Sequence, residues 1–166
     1  MNEPARAPDA LLRLRPIPTY RDHPATVGHD VAGVDPGGAG LAIDIVGSDL
    51  PVLLLFLSSG CLGCRDLWEG AAEISAALGD GVRVAVVTRA PGEEDPSAIA
   101  GWAAAMAEQG GIPVVMSSQA YVDYAVGGPP FYALTVGPEV RTEGVAWGLR
   151  ELSESVEGAL RPSDLP

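Results

Sequence analysis

Two cysteines, Cys61 and Cys64, stand three positions apart in the run Ser59-Gly60-Cys61-Leu62-Gly63-Cys64, and the chain contains no others. So short a loop removes little entropy from the unfolded chain, which makes stapling a fold a poor use for the pair. The chemistries left are thiol–disulfide exchange, half of a metal site, and a coincidental pairing. Exchange proceeds through the thiolate, and a cysteine at a helix start has its pKa lowered from about 8.5 to about 3.5–7.5 by backbone N–H groups and the helix dipole. In that arrangement Cys61 attacks and Cys64, within the first turn, resolves the mixed disulfide. Arg65 adds a cation, offset in part by Asp66; Gly63 gives the loop freedom to close, and Leu62 supplies an exposed apolar contact. A structural zinc site needs about four ligands. The only histidines, His23 and His29, precede the cysteines at six-residue spacing and read as solvated side chains.

The elements that must position the cysteines are legible around them. Residues 51–57, PVLLLFL, are apolar throughout, as expected of a strand covered on both faces. Ser58-Ser59-Gly60 breaks the strand, and Leu67, Ala71, Ile74 and Leu78 then recur at helix spacing until Gly79-Asp80-Gly81. A second strand is predicted over 82–87, and Asp95-Pro96 supplies an N-cap and first-turn proline for a helix with Ile99, Trp102, Ala103 and Met106 on its apolar stripe. Further strands are expected over 112–116 and 131–136, separated by a short helical piece through Ala120, Tyr121 and Tyr124. An edge strand over 140–146 should run antiparallel to its predecessor, and a final helix shows Leu149, Leu152, Val156 and Leu160. Upstream, residues 26–45 read as a β-hairpin around Asp35-Pro36-Gly37-Gly38. This order predicts a three-layer α/β sandwich with a mixed sheet, and it sets the cysteines where a buried strand hands over to a helix.

Composition limits what such a site can serve. At 166 residues, 47% apolar and 19% charged, the chain is one domain in length and too apolar for intrinsic disorder. Its 22 acids against 10 bases, all arginine, leave a net charge of −12, which argues against nucleic acid as a partner. No apolar run approaches the roughly 20 residues of a membrane span. Residues 1–25 read as a flexible Pro-rich leader, 26–160 as the folded domain and 161–166 as a C-terminal tail. The first thirty residues carry no secretory h-region, so a complete chain would be cytoplasmic; the alternative is the extracytoplasmic domain of a membrane-anchored protein.

The stretch 52–64, followed by Tyr124-Ala125-Val126-Gly127-Gly128-Pro129-Pro130-Phe131, resembles the thioredoxin superfamily. The extra helix–strand unit between Val82 and Met116 is similar to that of its TlpA-like/MauD-like thiol-disulfide oxidoreductase branch. The resemblance covers residues 26–160 and implies a thioredoxin-like sandwich with an N-terminal β-hairpin and an inserted helix–strand unit. It further implies a protein-disulfide oxidoreductase without cofactor, acting on disulfide-bearing or dithiol proteins. Pro130, matching the family's cis-proline after Pro129, would face the cysteines and pair with the substrate backbone.

This chain departs from the pattern in three places. Ser59-Gly60 stands where many relatives carry an aromatic, and Leu62-Gly63 fills the motif without proline or charge. Leu55 occupies the position of the buried carboxylate that accepts the resolving thiol's proton; only the tertiary fold would bring Glu93, Glu94 or Asp95 in as substitutes. A peroxiredoxin is disfavoured because Ser58 stands in place of a threonine, and a copper chaperone because no histidine follows. Two other readings stay open: a thioredoxin-fold binding module without redox turnover, and a small structural metal site.

The remaining conspicuous residues read as structural. Trp68, Trp102 and Trp147 are expected to pack or to be partly exposed, and Tyr121 and Tyr124 to anchor a helix face. The acid cluster at 92–95 reads as a solvated loop. The glycine pairs lack the strand–turn–helix context of a nucleotide site.

Overall fold

The computed structural model describes residues 27–162. The proline-rich leader, His23 and the last four residues lie outside the described part.

The chain enters through a hairpin of β1 (Val31–Val34) and β2 (Gly40–Ile43). Asp35 closes it, its Oδ1 accepting from the N–H groups of Gly37 and Ala39 at 2.9 Å each. β1 also reaches β5 (Val114–Met116) through the Val34–Met116 pair. A Cβ on Gly33 would strike the Met116 backbone, so glycine is what permits this approach.

The five residues of β3 (Val52–Phe56) are all buried, and the strand pairs in parallel with β4 (Arg83–Thr88) and antiparallel with β6 (Phe131–Val136). β7 (Glu139–Val145) adds to β6 as the outer strand. The complete order is β2-β1-β5-β4-β3-β6-β7, a mixed sheet of seven strands among the described residues. The strand expected over 112–116 begins only at Val114: Pro113 has no N–H for the ladder, although its carbonyl accepts from Val86 N–H at 2.9 Å.

Helices cover both faces. Leu53, Leu55 and Leu57 pack in one buried cluster with Leu67, Trp68, Ala71 and Ile74 of α1 (Arg65–Leu78), Ile99 and Met106 of α2 (Pro96–Gln109), and Leu152 and Val156 of α4 (Leu149–Leu160). Leu54 and Phe56, pointing the other way, join Tyr121 of α3 (Ser118–Asp123) and Tyr124 just beyond it. The caps follow the sequence signals: Asp95 accepts from Ser97 N–H at 3.0 Å and from Ala98 N–H at 3.3 Å. The predicted three-layer sandwich, its N-terminal hairpin and its inserted α2–β5 unit are therefore all present.

Candidate functional site

Beyond Phe56 the Leu57 N–H still bonds to the Val87 carbonyl at 3.0 Å, and the chain then leaves the sheet through Ser58-Ser59-Gly60. Cys61 has extended backbone, φ −99° and ψ 112°, and stands before a 3₁₀ turn, Leu62–Cys64, which runs directly into α1. Cys64 N–H donates to the Cys61 carbonyl at 3.2 Å. The two sulfurs form a disulfide with a Cα separation of 5.3 Å. Burial separates the partners: Cys64 is sealed at 0% exposure, Cys61 is half-buried, and neighbouring Leu62 stands 97% exposed. The expected division of labour needs this asymmetry, an accessible sulfur to meet a visitor and a hidden one to follow it.

One expectation about the motif needs correction. Arg65 gives its cation to Glu69, Nε to Oε1 at 2.9 Å, because the four-residue spacing puts the two on one helix face. This ion pair raises the already high Arg65 pKa. Gly63 does not have the positive φ that would require glycine. A Cβ there would lie 3.6 Å from Pro130 Cδ, so the glycine presents a flat face to the proline ring.

Pro130 thus stands against the cysteine turn, and the Pro129–Pro130 peptide is cis. The Pro130 carbonyl accepts from Ala146 N–H at 3.2 Å, tying the loop to the end of β7. Trp147, the next residue, is 80% exposed, more open than the packed or partly exposed ring expected. On the other side of this loop a groove of about 490 Å³ is lined by Arg89, Glu93, Tyr121, Val122 and Gly127 among others. A cavity of about 580 Å³ lies at the opposite end of the sheet, around Gly79, Arg83 and Pro113, away from the cysteines.

The strand exit is braced from behind by two tyrosines. Tyr121 Oη donates to the Leu57 carbonyl at 2.8 Å, and the Arg89 guanidinium lies 4.6 Å from the centre of its ring. Tyr124 Oη accepts from His29 N–H at 2.9 Å. Burial pushes the Tyr121 hydroxyl far up and that of Tyr124 up to about 12.

Of the acid cluster, Glu93 and Asp95 are exposed as a solvated loop predicts, but Glu94 is half-buried and turned inward. Glu94 Oε2 accepts from Ser59 Oγ at 2.6 Å, Ser59 N–H at 2.8 Å and Ser58 Oγ at 3.1 Å. Ser118 Oγ donates to Glu93, and Asp95 caps α2. Trp68 Nε1 donates to the Ser58 carbonyl at 3.3 Å, while its ring stacks on Trp102 at 5.9 Å. The physical reason is topological: β3 and β4 are parallel neighbours, so the loops after them emerge side by side. Reading the chain one segment at a time hides Glu94; the available signal was a serine pair before the cysteines and an acid cluster one parallel strand later. Leu55 stays fully buried in the cluster that contains Cys64, so no carboxylate occupies that position. Among the described residues no three His, Cys, Asp or Glu side chains gather as a metal site would require.

No protein-family model matches the chain, and no curated protein sequence does. Solved structures do. The thioredoxin domain of thiol-disulfide oxidoreductase BVU-2223 from Bacteroides vulgatus superposes with a TM-score of 0.62 at 18% identity, covering 84% of this chain and 99% of that one. This chain has a thioredoxin-like fold. A secreted Mycobacterium tuberculosis disulfide oxidoreductase homologous to E. coli DsbE shares the thioredoxin-like architecture at a TM-score of 0.59 and 16% identity, over 77% of this chain and 95% of that one. So does a peroxiredoxin-like protein from Aquifex aeolicus, at 0.61 and 14%, over 82% and 86%. The thioredoxin-like strand-to-helix junction is where this chain places its two sulfurs.

Proposed function

We propose that the protein is a dithiol–disulfide oxidoreductase acting on protein substrates. The observation that supports this most is the disulfide between half-buried Cys61 and fully buried Cys64 at the mouth of α1, with Pro130 against the turn. In the reducing direction the Cys61 thiolate attacks one sulfur of a substrate disulfide and expels the other as a thiolate, which takes up a proton. The Cys64 thiolate then attacks Cys61 Sγ and releases the second substrate thiolate. Two electrons pass to the substrate, two protons end on its thiols, and Cys61–Cys64 becomes the disulfide seen here. The opposite direction uses the same steps reversed.

Pro130 and Pro129 form the substrate-binding side of the groove in this reading, with Leu62 as an apolar contact beside the attacking sulfur. Disulfide-bearing or dithiol proteins are the partners. An extracytoplasmic setting suits this chemistry, and the secreted M. tuberculosis neighbour supports it. Among the described residues no helix is long and apolar enough to cross a membrane.

The test is reduction of insulin disulfides with dithiothreitol as electron donor. Wild type should turn over and Cys61→Ser should lose essentially all activity, whereas Cys64→Ser should accumulate a mixed disulfide with the substrate. An inactive wild type that traps no partner would instead identify a binding module.

A further inference from the structure

We propose that Glu94 is a positioning residue for the dithiol: it holds the Ser58–Ser59 strand exit in place and sets a negative charge beside Cys61 that makes the couple more reducing. The inference rests on the exchange chemistry proposed above.

One carboxylate oxygen, Oε2, collects three donors at 2.6, 2.8 and 3.1 Å, all from Ser58 and Ser59. Ser59 Oγ in turn accepts from Asp95 N–H at 3.0 Å, and Gly60 N–H donates to Ser58 Oγ at 3.3 Å. The segment that ends on Cys61 is thereby strapped to the start of the inserted α2 unit rather than to its own sheet. The second oxygen, Oε1, is buried and has no donor among the described residues. A strap needs only one acceptor, and a buried carboxylate oxygen left unpaired is costly. Oε1 therefore carries charge that no hydrogen bond of its own offsets, on a side chain bonded to the residue two before Cys61.

Other charges around the junction are committed differently. Arg65 is paired with Glu69, Glu93 accepts from Ser118, Arg89 stacks over Tyr121, Asp95 caps α2, and Asp66 sits in the first turn of α1. Negative charge near Cys61 disfavours its thiolate. Since a stabilised reduced form is what makes such a couple oxidising, a destabilised thiolate shifts the couple toward reducing power.

Glu94→Gln keeps the shape and an acceptor oxygen but removes the charge. Two readings on the reduced protein test the proposal: the pH profile of Cys61 alkylation by iodoacetamide, and the equilibrium of the dithiol with glutathione. In Glu94→Gln the alkylation profile should move to lower pH, and the glutathione equilibrium should shift about tenfold toward the dithiol, a couple about 30 mV more oxidising. Glu94→Ala should shift both the same way and also lower the melting temperature. If Glu94→Gln leaves both readings at the wild-type position, or moves them the opposite way, the proposal is overturned, whatever happens to stability. Neither reading requires insulin turnover, so a failure here is distinct from a failure of the oxidoreductase assignment. Should Glu94→Ala fail to fold, the near-isosteric Gln variant decides alone.

Discussion

The two faces of the central strand solve the same burial problem with different materials. On the cysteine face, Leu53, Leu55 and Leu57 meet three helices, and the cluster around them is dominated by aliphatic side chains. On the opposite face, Leu54 and Phe56 meet one six-residue helix and its aromatic rings. Phe56 sits 5.2 Å from Tyr121 and 5.5 Å from Tyr124, ring centre to ring centre. There the tyrosine hydroxyls finish the job by reaching backbone groups, Leu57 in one case and His29 in the other. A short helix covers little area, so bulky rings and hydroxyl-to-backbone bonds replace the second and third helix. The lesson for the site is that its rigidity comes from both sides: an apolar platform under Cys64, and an aromatic brace behind the strand from which the cysteine turn departs.

The largest expected effect breaks the aliphatic face. Leu55→Asp would restore a carboxylate at the position where the resemblance expects one, but among apolar neighbours without a partner. Denaturant unfolding should register a loss of about 3–5 kcal/mol. A loss below about 1 kcal/mol would mean that this face already admits water or a counter-charge.

The aromatic face should instead fail in base. The Tyr124 hydroxyl is pushed up to about 12 from its ordinary 10, and Tyr121 higher still, by burial. Unfolded tyrosines therefore ionise first. The stabilisation is complete below pH 10 and is lost as pH rises toward the folded values, a decline on the order of 2 kcal/mol for Tyr124 alone. Urea midpoints measured from pH 9 upward should fall in wild type and fall less steeply in Tyr124→Phe. Equal slopes would show that the hydroxyl is not buried as described.

Tyr121→Phe sharpens the comparison further, since it removes only the donor to the Leu57 carbonyl. The expected cost is about 1 kcal/mol, read from the same unfolding curves. The smallest effect belongs to exposed Asp30, whose Oδ1 accepts from the N–H groups of Ile45 and Val46, chiefly lowering its pKa. A depressed carboxylate pKa stabilises above the unfolded value of 3.8 and stops doing so as pH falls through the folded one. Asp30→Asn should thus be slightly less stable than wild type at pH 7, and the gap should close in acid.

Much of this fold is legible in the sequence. Apolar runs without alternation, helix-period stripes and the Asp95-Pro96 cap are local signals, and each became the expected element. The junction of strand and helix at Cys61 was equally local. Pro113 shortened β5 for a reason that is also local, its missing N–H. The misreadings share another cause. Arg65 turned to Glu69, and Glu94 reached from the loop after β4 to the serines that follow its neighbour β3.

What the sequence determined by itself was the set of elements and the cysteine pair at a strand-to-helix junction, because hydrophobic period, capping and cysteine spacing all act within a few residues. The tertiary structure alone decided which sulfur is hidden and which carboxylate holds the serines before the turn. Those depend on which strands lie next to one another, and neighbours in a sheet need not be neighbours in the chain.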